Sequence, residues 1–413
     1  MLSVSDARAR ILEIFVSVET ANLSIAHLAG RVLASDITAK TDYPLFDNSS
    51  VDGFALQISD IASAGHVSPR TLMVTADIRA GTYSDIPIHS GQCARIMTGA
   101  SLPPGANAVV MVEDTDFNER FAGSPAPQTV AVYKPLQPGE NVRHRGDDLH
   151  AGDKVLSSGT RLRAQEVGLL AMLGLPEVPV YRSPKVALLS SGDELLPVEV
   201  PLTPGKIHDA NSYILAALSE RTGVELIQLG VASDTETDIR SKLERAVDEK
   251  ADVIISSAGV SVGAFDYIKS AVESDGELYF WKVNMRPGKP LAFGKYHGIP
   301  FFGLPGNPVS AFIGFEVFVR PALEKLSGLN AHPHPSQKAL LAELVESDGR
   351  ETYLRAIVTE EQGHLTAHLT GHQGSGNIFS LVQANALLIL PSGVKSLPVG
   401  SEVNCLLLDD EIG

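Results

Sequence analysis

The first 180 residues combine one helical pattern with a series of short β-type runs. Val4, Ala7, Ile11 and Phe15 recur every three or four residues, which predicts an amphipathic helix near the N-terminus. Apolar runs separated by Pro and Gly then predict strands at 71–76, 93–98, 108–112 and 129–133. We therefore expect a β-rich module, followed by a helix at 164–173 that Gly174 ends.

From Lys185 onward, apolar strands alternate with amphipathic helices. We expect Ser233 and Glu236 to form a capping box for one of these helices. The alternation favours a parallel sheet with right-handed crossovers, and such sheets bind ligands beyond the carboxyl ends of their strands. The predicted strands are at 185–189, 224–231, 253–255 and 299–304.

The last quarter of the chain has the pattern of a small all-β domain. A linker, AHPHPSQ at 331–337, separates it from the preceding helical segment. Strands are predicted at 339–345, 353–359, 364–369, 386–390 and 403–408.

Charge and cysteine content narrow the class of protein. The net charge of −16 excludes a broad surface for nucleic acid or anionic membrane, so an anionic ligand needs a local site. Cys93 and Cys405 are far apart without a metal-ligand spacing, which is typical of a reducing compartment. The chain shows neither a signal-peptide core nor an apolar run long enough to span a membrane, so we expect a cytoplasmic location.

Two strand-to-helix turns have the features of an anion site. SSAGVSVG, at 256–263, follows a buried strand, and its small residues let backbone N–H groups approach a ligand. In the second turn, PGNP, Asn307 can cap a helix and Pro308 can occupy its first turn. With Arg286 and Lys289 between them, the two turns predict a site for a phosphorylated small ligand.

Three carboxylates follow strands at the same predicted sheet edge: Glu194, Asp209 and Asp266. Oxygen ligands of this kind suit Mg²⁺, which is often held by one or two carboxylates plus substrate phosphates. Each also has a structural interpretation. Asp193, Glu194 and Asp266 fit the first turn of a helix, and Asp209 fits an N-cap, so both alternatives stay open.

The β-rich module carries further polar candidates, Asp52, Thr98, Arg143 and Asp148, each of which is also ordinary in a turn or on a solvated surface. The arginines of NVRHRGDD could simply pair with its aspartates. The histidines show no zinc-ligand grouping, and the serines have neither a GxSxG sequence nor a recognisable base partner. A zinc enzyme and a serine hydrolase are therefore disfavoured.

With these residues in view, the chain resembles the molybdopterin molybdenumtransferases, the family that includes the E-domain of gephyrin. The resemblance covers residues 1–408, and DNSSVDGFA, RIMTGA and LPGNPVSAF together make it specific. The SSAGVSVG loop is shared more widely among molybdopterin-binding proteins. The matching segments, in family order, are DNSSVDGFA (47–55), RIMTGA (95–100), NVRHRGDD (141–148), LLSSGDEL (188–195), SSAGVSVGAFD (256–266), RPGKPLAFG (286–294) and LPGNPVSAF (304–312).

The resemblance implies a multidomain α/β protein that forms a homodimer, with the active site shared between chains. It also implies transient contact with the adenylyltransferase and with molybdoenzyme acceptors, but no nucleic acid and no membrane. The implied domains are a parallel-sheet molybdopterin-binding α/β domain (1–20 with 183–325), an elongated linking domain (21–42 with 150–182), a β-rich inserted domain (43–149) and a C-terminal small β-barrel (326–413).

The implied reaction is Mg²⁺-dependent hydrolysis of adenylylated molybdopterin coupled to molybdate insertion, giving molybdenum cofactor and AMP. Arg286 and Lys289 are the candidates for molybdate. The implied catalytic acids are Asp52, Asp148, Glu194, Asp209 and Asp266, of which Glu194, Asp209 and Asp266 hold the metal. The implied binding groups are Thr98, Arg143, Ser257, Gly259, Ser261, Gly263, Lys282, Arg286, Lys289, Gly306 and Pro308.

Departures from the usual family wording are small and remove no carboxylate. Val51, Phe54 and Ser191 stand where Met, Tyr and Thr are frequent, Ala258 replaces a loop glycine, and Arg286 replaces a lysine. Two alternatives remain. A molybdopterin adenylyltransferase is disfavoured because those enzymes resemble the central domain alone, and a non-enzymatic dimeric scaffold is disfavoured because clustering by gephyrin relies on additional domains.

Overall fold

The structure is a computed structural model that describes residues 1–119, 121, 123–257, 264–329, 336–361 and 363–408. In the helix that begins at Ala264, side chains are described from Tyr267 onward. The chain forms two compact units, residues 1–35 with 158–413 and residues 36–157. None of the described helices has the length and apolar character needed to cross a membrane.

The smaller unit, 36–157, is built on a five-stranded sheet, which confirms the β-rich module. All four strands predicted there are present, and a fifth, Gly53–Leu56, lies buried between two of them. Its sequence GFAL follows a polar turn, which hid it from the pattern. The strand order is Ala108–Met111, Gly53–Leu56, Gln92–Ile96, Arg70–Ile78 and Thr129–Val132. Two-stranded pairs flank it, Asn48–Ser49 with Val142–Arg143 and Ile37–Thr38 with Lys154–Leu156.

The larger unit begins with the predicted amphipathic helix, Val4–Ile14, which Ser3 caps by accepting a hydrogen bond from the Asp6 N–H at 3.1 Å. Its apolar face packs into the core of the central sheet. The predicted second helix runs from Ala164 to Met172, and Gly174 follows at φ +70°. A three-stranded sheet combines two strands that follow the first helix with one that follows the second, in the order Thr20–Ser24, Glu177–Tyr181 and Val32–Leu33.

The central sheet has six strands. The four that were predicted pair in parallel, as expected. Pro290–Tyr296, which was not predicted, pairs antiparallel with both of its neighbours. For its pairing with Ile299–Leu304, the reason is the tight turn at His297 and Gly298, both at positive φ. A two-residue turn of this kind joins antiparallel strands only, whereas parallel strands need a long crossover. The strand order is Glu225–Ala232, Lys185–Ser191, Val253–Ser257, Ile299–Leu304, Pro290–Tyr296 and Gly276–Lys282.

The helices of this domain are Ala210–Glu220, Glu236–Asp248, Ala264–Ser274, Pro308–Gly314 and Arg320–Leu326, with a π-helical segment at Phe315–Val319. The predicted capping box of Ser233 and Glu236 was wrong. Thr235 is the N-cap, because its hydroxyl reaches the Asp238 N–H at 3.4 Å, while the Ser233 N–H donates to the Asp238 carboxylate.

The C-terminal domain is a closed five-stranded barrel, as predicted. The predicted strand at 339–345 is shorter, however: it ends at Leu341, and Val345–Glu346 pairs instead with Ser396–Leu397. An outer strand, Met285–Arg286 of the central domain, pairs in parallel with Glu351–Glu361. Around the barrel, the strands are Glu351–Glu361, His364–Leu369, Ser336–Leu341, Glu402–Leu407 and Ala386–Leu390, and the last pairs back with the first.

Candidate functional site

A cavity of about 870 Å³ lies where the carboxyl end of the central sheet faces the barrel, inside the larger unit. Its lining contains both carboxylates and cationic groups. We call Glu194 and Asp234 the acidic wall, and Arg286, Lys289 and Arg350 the cationic wall. The lining residues include Gly192, Glu194, Asp234, Arg286, Lys289, Gly306, Asn307, Arg350, Arg355, Gln373, Gly374 and Ser375.

Glu194 belongs to the acidic wall. No helix begins at Asp193 or Glu194, so the helix-terminus interpretation of these acids was wrong; a short strand, Leu195–Leu196, follows them and pairs with Ile207–His208. A Cβ atom at Gly192 would lie 2.7 Å from the Glu194 carboxylate. Glycine at position 192, with φ +152°, leaves room for this carboxylate in its present position.

Asp234 is a second acid in this wall, and sequence reasoning missed it. Its N–H donates to the Asp193 carboxylate at 3.1 Å, while its own Oδ1 is buried and has no hydrogen-bond partner within the described residues. Burial and, less strongly, the charges of Asp193 and Glu194 raise its pKa. Its position just beyond the strand Glu225–Ala232 was the available signal, since it matches the position of Glu194 beyond Lys185–Ser191.

Asp209 directly follows the strand Ile207–His208, which pairs with the strand that directly follows Glu194. The Asp209 side chain nevertheless lines a different cavity. The carboxylate, in a residue only 4% exposed, caps the helix Ala210–Glu220 by accepting from the Ser212 N–H at 3.1 Å, which confirms the N-cap interpretation. The second cavity measures about 590 Å³ and is also lined by Tyr213 and Gln228.

The described side chains contain no group of three His, Cys, Asp or Glu residues placed to hold a metal ion. The Asp266 side chain lies outside the described part, as do Gly259, Ser261 and Gly263. Ser257, at the end of the preceding strand, is buried, and its hydroxyl lies 2.9 Å from that of Ser190. The predicted metal set of Glu194, Asp209 and Asp266 therefore stays a prediction.

Arg286 and Lys289 form the cationic wall, together with Arg350 from the barrel. Asp348 lies between the two arginines, 3.8 Å from Arg286 Nη1 and 3.0 Å from Arg350 Nε. The hydrogen bonds from Arg350, and more weakly the charge of Arg286, lower the pKa of Asp348 to about 2. Lys282 is placed elsewhere, with its ammonium 3.8 Å from the ring centroid of Trp281.

The PGNP turn follows the strand Ile299–Leu304 and forms part of the cavity wall. Gly306 and Asn307 line it, and the Asn211 amide donates to the Gly306 carbonyl at 2.8 Å. Pro308 is the first helical residue, as predicted. Asn307 occupies the N-cap position, but its side chain makes no capping hydrogen bond.

In the smaller unit, the structure brings Asp52 and Thr98 together. Asp52 Oδ1 accepts from the Thr98 N–H at 2.9 Å and from its hydroxyl at 2.8 Å. Arg143 and Asp148, which both belong to the NVRHRGDD segment, are exposed. The local pairing expected within NVRHRGDD was wrong for Arg145, which donates to Asp42 at 2.7 Å instead.

Comparisons with known proteins agree along the whole chain. Three family profiles match: the MoeA N-terminal region (domain I and II) at residues 2–174, a probable molybdopterin binding domain at 187–325, and the MoeA C-terminal region (domain IV) at 338–408. A molybdopterin molybdenumtransferase of Haemophilus influenzae is 36% identical over 98% of both chains. One of Nostoc sp. is 38% identical over 92% of this chain and 86% of its own. The crystal structure of a molybdopterin biosynthesis moeA protein from Pyrococcus horikoshii OT3 aligns with a TM-score of 0.80 at 31% identity, over 98% of this chain and 100% of that one.

Proposed function

Because the chain belongs to the molybdopterin molybdenumtransferase family, we propose that it hydrolyses adenylylated molybdopterin and inserts molybdate, releasing AMP and molybdenum cofactor. The observation that carries this proposal is the cavity itself. It places carboxylates and cations on one surface, as cleavage of a phosphoanhydride next to an oxyanion site requires.

The acidic wall fits a magnesium ion. The buried Oδ1 of Asp234 is an oxygen ligand without a hydrogen-bond partner in the described residues. Burial and, less strongly, the charges of Asp193 and Glu194 raise the pKa of Asp234. Glu194 and Asp234 would hold the ion, with Asp266 as the third predicted ligand. Bound there, Mg²⁺ would neutralise charge on the departing phosphate. We therefore assign to Asp234 the place predicted for Asp209, whose carboxylate already serves as a helix cap.

The cationic wall has the complementary role. Arg286 and Lys289 bind the oxyanion and the ligand phosphates, and Arg350 adds charge from the barrel. A carboxylate of the acidic wall orients the attacking water and accepts its proton. Backbone groups at Gly306 and in the SSAGVSVG loop fix the position of the pterin phosphate.

We also propose the four-domain division given above, a cytoplasmic location and a homodimer in which Asp52, Thr98, Arg143 and Asp148 of one chain complete the cavity of the other. The Asp52–Thr98 pair supports this, since it forms a preorganised polar group in the smaller unit. Mixing an Asp52→Asn chain with a Glu194→Gln chain should restore activity, because mixed dimers contain one intact site. Failure of the mixture to regain activity would contradict the shared site.

The decisive assay incubates the protein with adenylylated molybdopterin, molybdate and Mg²⁺ and measures AMP. Release of AMP together with active cofactor is expected. A protein that instead consumes ATP and molybdopterin would be an adenylyltransferase, and a protein that releases no AMP would refute the proposed reaction.

A further inference from the structure

Arg355 is the largest fully buried side chain of the described residues, with an exposure of 0%. It lies on the barrel strand Glu351–Glu361 and contributes to the wall of the large cavity. Arginine is almost never fully buried unless it is paired. Its burial here therefore calls for an explanation from its contacts.

The guanidinium donates to one short segment, residues 371–377, and to the helix that follows it. Nη1 donates to the Gln373 carbonyl at 3.2 Å, and Nη2 donates to the carbonyls of His372 and Gly374 at 3.4 and 3.0 Å. Nε donates to the buried Ser380 hydroxyl at 2.9 Å. These acceptors are neutral, so the described contacts leave the positive charge uncompensated, and burial lowers the pKa of Arg355 to about 10.

The backbone of Arg355 holds the same segment from a second direction. The Arg355 N–H donates to the Gln373 side-chain carbonyl at 2.9 Å, and the Gln373 amide group donates back to the Arg355 carbonyl at 3.1 Å. The sequence GHQGSGN contains three glycines and supplies little rigidity of its own. The bonds from Arg355 therefore add to the two side-chain bonds within the segment, which run from Gln373 Nε2 to the Gly371 carbonyl and from Asn377 Nδ2 to the His372 carbonyl.

The segment 371–377 forms part of the cavity wall and contacts the central domain. Gln373, Gly374 and Ser375 line the cavity, as do Gly306 and Asn307 of the PGNP turn. The Ser375 carbonyl accepts a hydrogen bond from the Val309 N–H at 3.2 Å, one residue beyond Pro308. Loss of order at 371–377 would thus disturb both the barrel side of the cavity and its contact with the helix that begins at Pro308.

We infer that Arg355 is a positioning residue for the oxyanion substrate: its planar fork fixes residues 371–377 as a cavity wall, and its uncompensated charge favours an anion beside that wall. The inference rests on the proposed function for the identity of the oxyanion, molybdate. The fork and the charge are separable, because lysine keeps the charge but lacks the planar set of donors.

The test compares Arg355→Met, Arg355→Lys and wild-type full-length protein by hydrogen exchange and by steady-state kinetics with molybdate varied. In Arg355→Met, we expect exchange at 371–377 to accelerate about tenfold or more, because the loop carbonyls lose their donors. The KM for molybdate should rise about tenfold with a smaller change in kcat. In Arg355→Lys, exchange should stay fast, and KM should lie between the wild-type and Arg355→Met values, because the charge is kept while the wall is no longer fixed.

Asn385→Ala is the matched control in the same barrel. In the wild-type protein, the Asn385 side chain accepts a hydrogen bond from the Val358 N–H at 2.7 Å and donates one to the Val358 carbonyl at 2.9 Å. Neither bond involves residues 371–377. The Asn385→Ala substitution should lower the melting temperature without changing the KM for molybdate. If Arg355→Met behaves like Asn385→Ala in both exchange and KM, the positioning role is overturned.

Should Arg355→Met fail to fold, Arg355→Lys and Ser380→Ala keep the inference testable. Ser380→Ala removes one acceptor of the fork and should accelerate exchange at 371–377, and unchanged exchange in both variants would refute it. Should the wild-type protein release no AMP, the proposed function fails, whereas hydrogen exchange still decides whether Arg355 holds the segment.

Discussion

Two acidic regions of this chain differ in how their carboxylates are compensated. In the smaller unit, Asp42 accepts from the Ala151 N–H at 2.8 Å and from Arg145 Nε at 2.7 Å, and these hydrogen bonds lower its pKa. At the edge of the central sheet, burial and the neighbouring carboxylates raise the pKa of Asp234. The hydrogen bonds at Asp42 stabilise its ionised carboxylate, whereas the surroundings of Asp234 disfavour ionisation.

The number of acids in a turn therefore indicates less about their role than the groups that contact them do. Carboxylates with hydrogen bonds and a cation nearby serve the local fold. A buried carboxylate oxygen without a partner costs stability, and such groups concentrate at functional sites.

The largest effect is expected from Glu194→Gln, which keeps the shape of the side chain and removes its charge from the acidic wall. AMP release should fall by about a hundredfold or more, because a group that stabilises the transition state is lost. Asp42→Asn is the control and should stay within about threefold of wild-type turnover. Equal losses in the two variants would abolish the distinction between the regions.

The second largest effect is expected in the stabilisation of the folded protein by Mg²⁺. A ligand that binds only the folded protein stabilises it by about 2.7 kcal/mol at a concentration one hundred times its Kd. Mg²⁺ should therefore raise the melting temperature of the wild-type protein, and Asp234→Asn should weaken the apparent Mg²⁺ affinity about tenfold. An identical Mg²⁺-dependent shift in the variant would show that Asp234 does not contact the ion.

A smaller effect concerns stability without metal. Because the folded-state pKa of Asp234 lies above its unfolded value, its stabilising contribution is complete below the unfolded pKa and is lost as the pH rises through the folded one. At pH 7, Asp234→Asn should therefore melt slightly above the wild-type protein, and this advantage should shrink at pH 3. Calorimetry at both pH values in chelator measures the difference, and a variant less stable at pH 7 would count against an uncompensated charge.

The smallest effect has the opposite sign and belongs to Asp42. Its folded-state pKa lies below its unfolded value, so its contribution is present above the unfolded pKa and is lost as the pH falls through the folded one. Asp42→Asn should lower the melting temperature slightly at pH 7, with the difference disappearing in strong acid. A constant difference across this pH range would indicate a packing effect instead.

The sequence predicted the fold where one local rule decided the outcome. β-Branched runs located most strands, and Gly174 and Asp209 were correctly interpreted as helix ends. The antiparallel part of the central sheet was missed because a short turn at His297, rather than the apolar pattern, fixes strand direction.

The candidate site was predictable in its ingredients but not in its assembly. Glu194, Arg286 and Lys289 were found from strand ends and charge, and the structure places all three in one cavity. The choice between Asp209 and Asp234 depends on the direction of a side chain, which periodicity does not reveal. Burial of Arg355 was unpredictable for a similar reason, since the segment that accepts its hydrogen bonds lies 17 or more residues away in sequence.

The pairing of Met285–Arg286 with the barrel has a mechanical consequence. Arg286 belongs in sequence to the central domain, yet it forms a ladder with Thr352, and Arg350 Nη1 donates to the Met285 carbonyl at 3.0 Å. Arg286 is therefore tied to the barrel as well as to the central sheet, whose core contains the buried Met285. The spacing between the acidic and cationic walls therefore depends on a contact between two parts of the fold, and that contact includes a ladder of two residues.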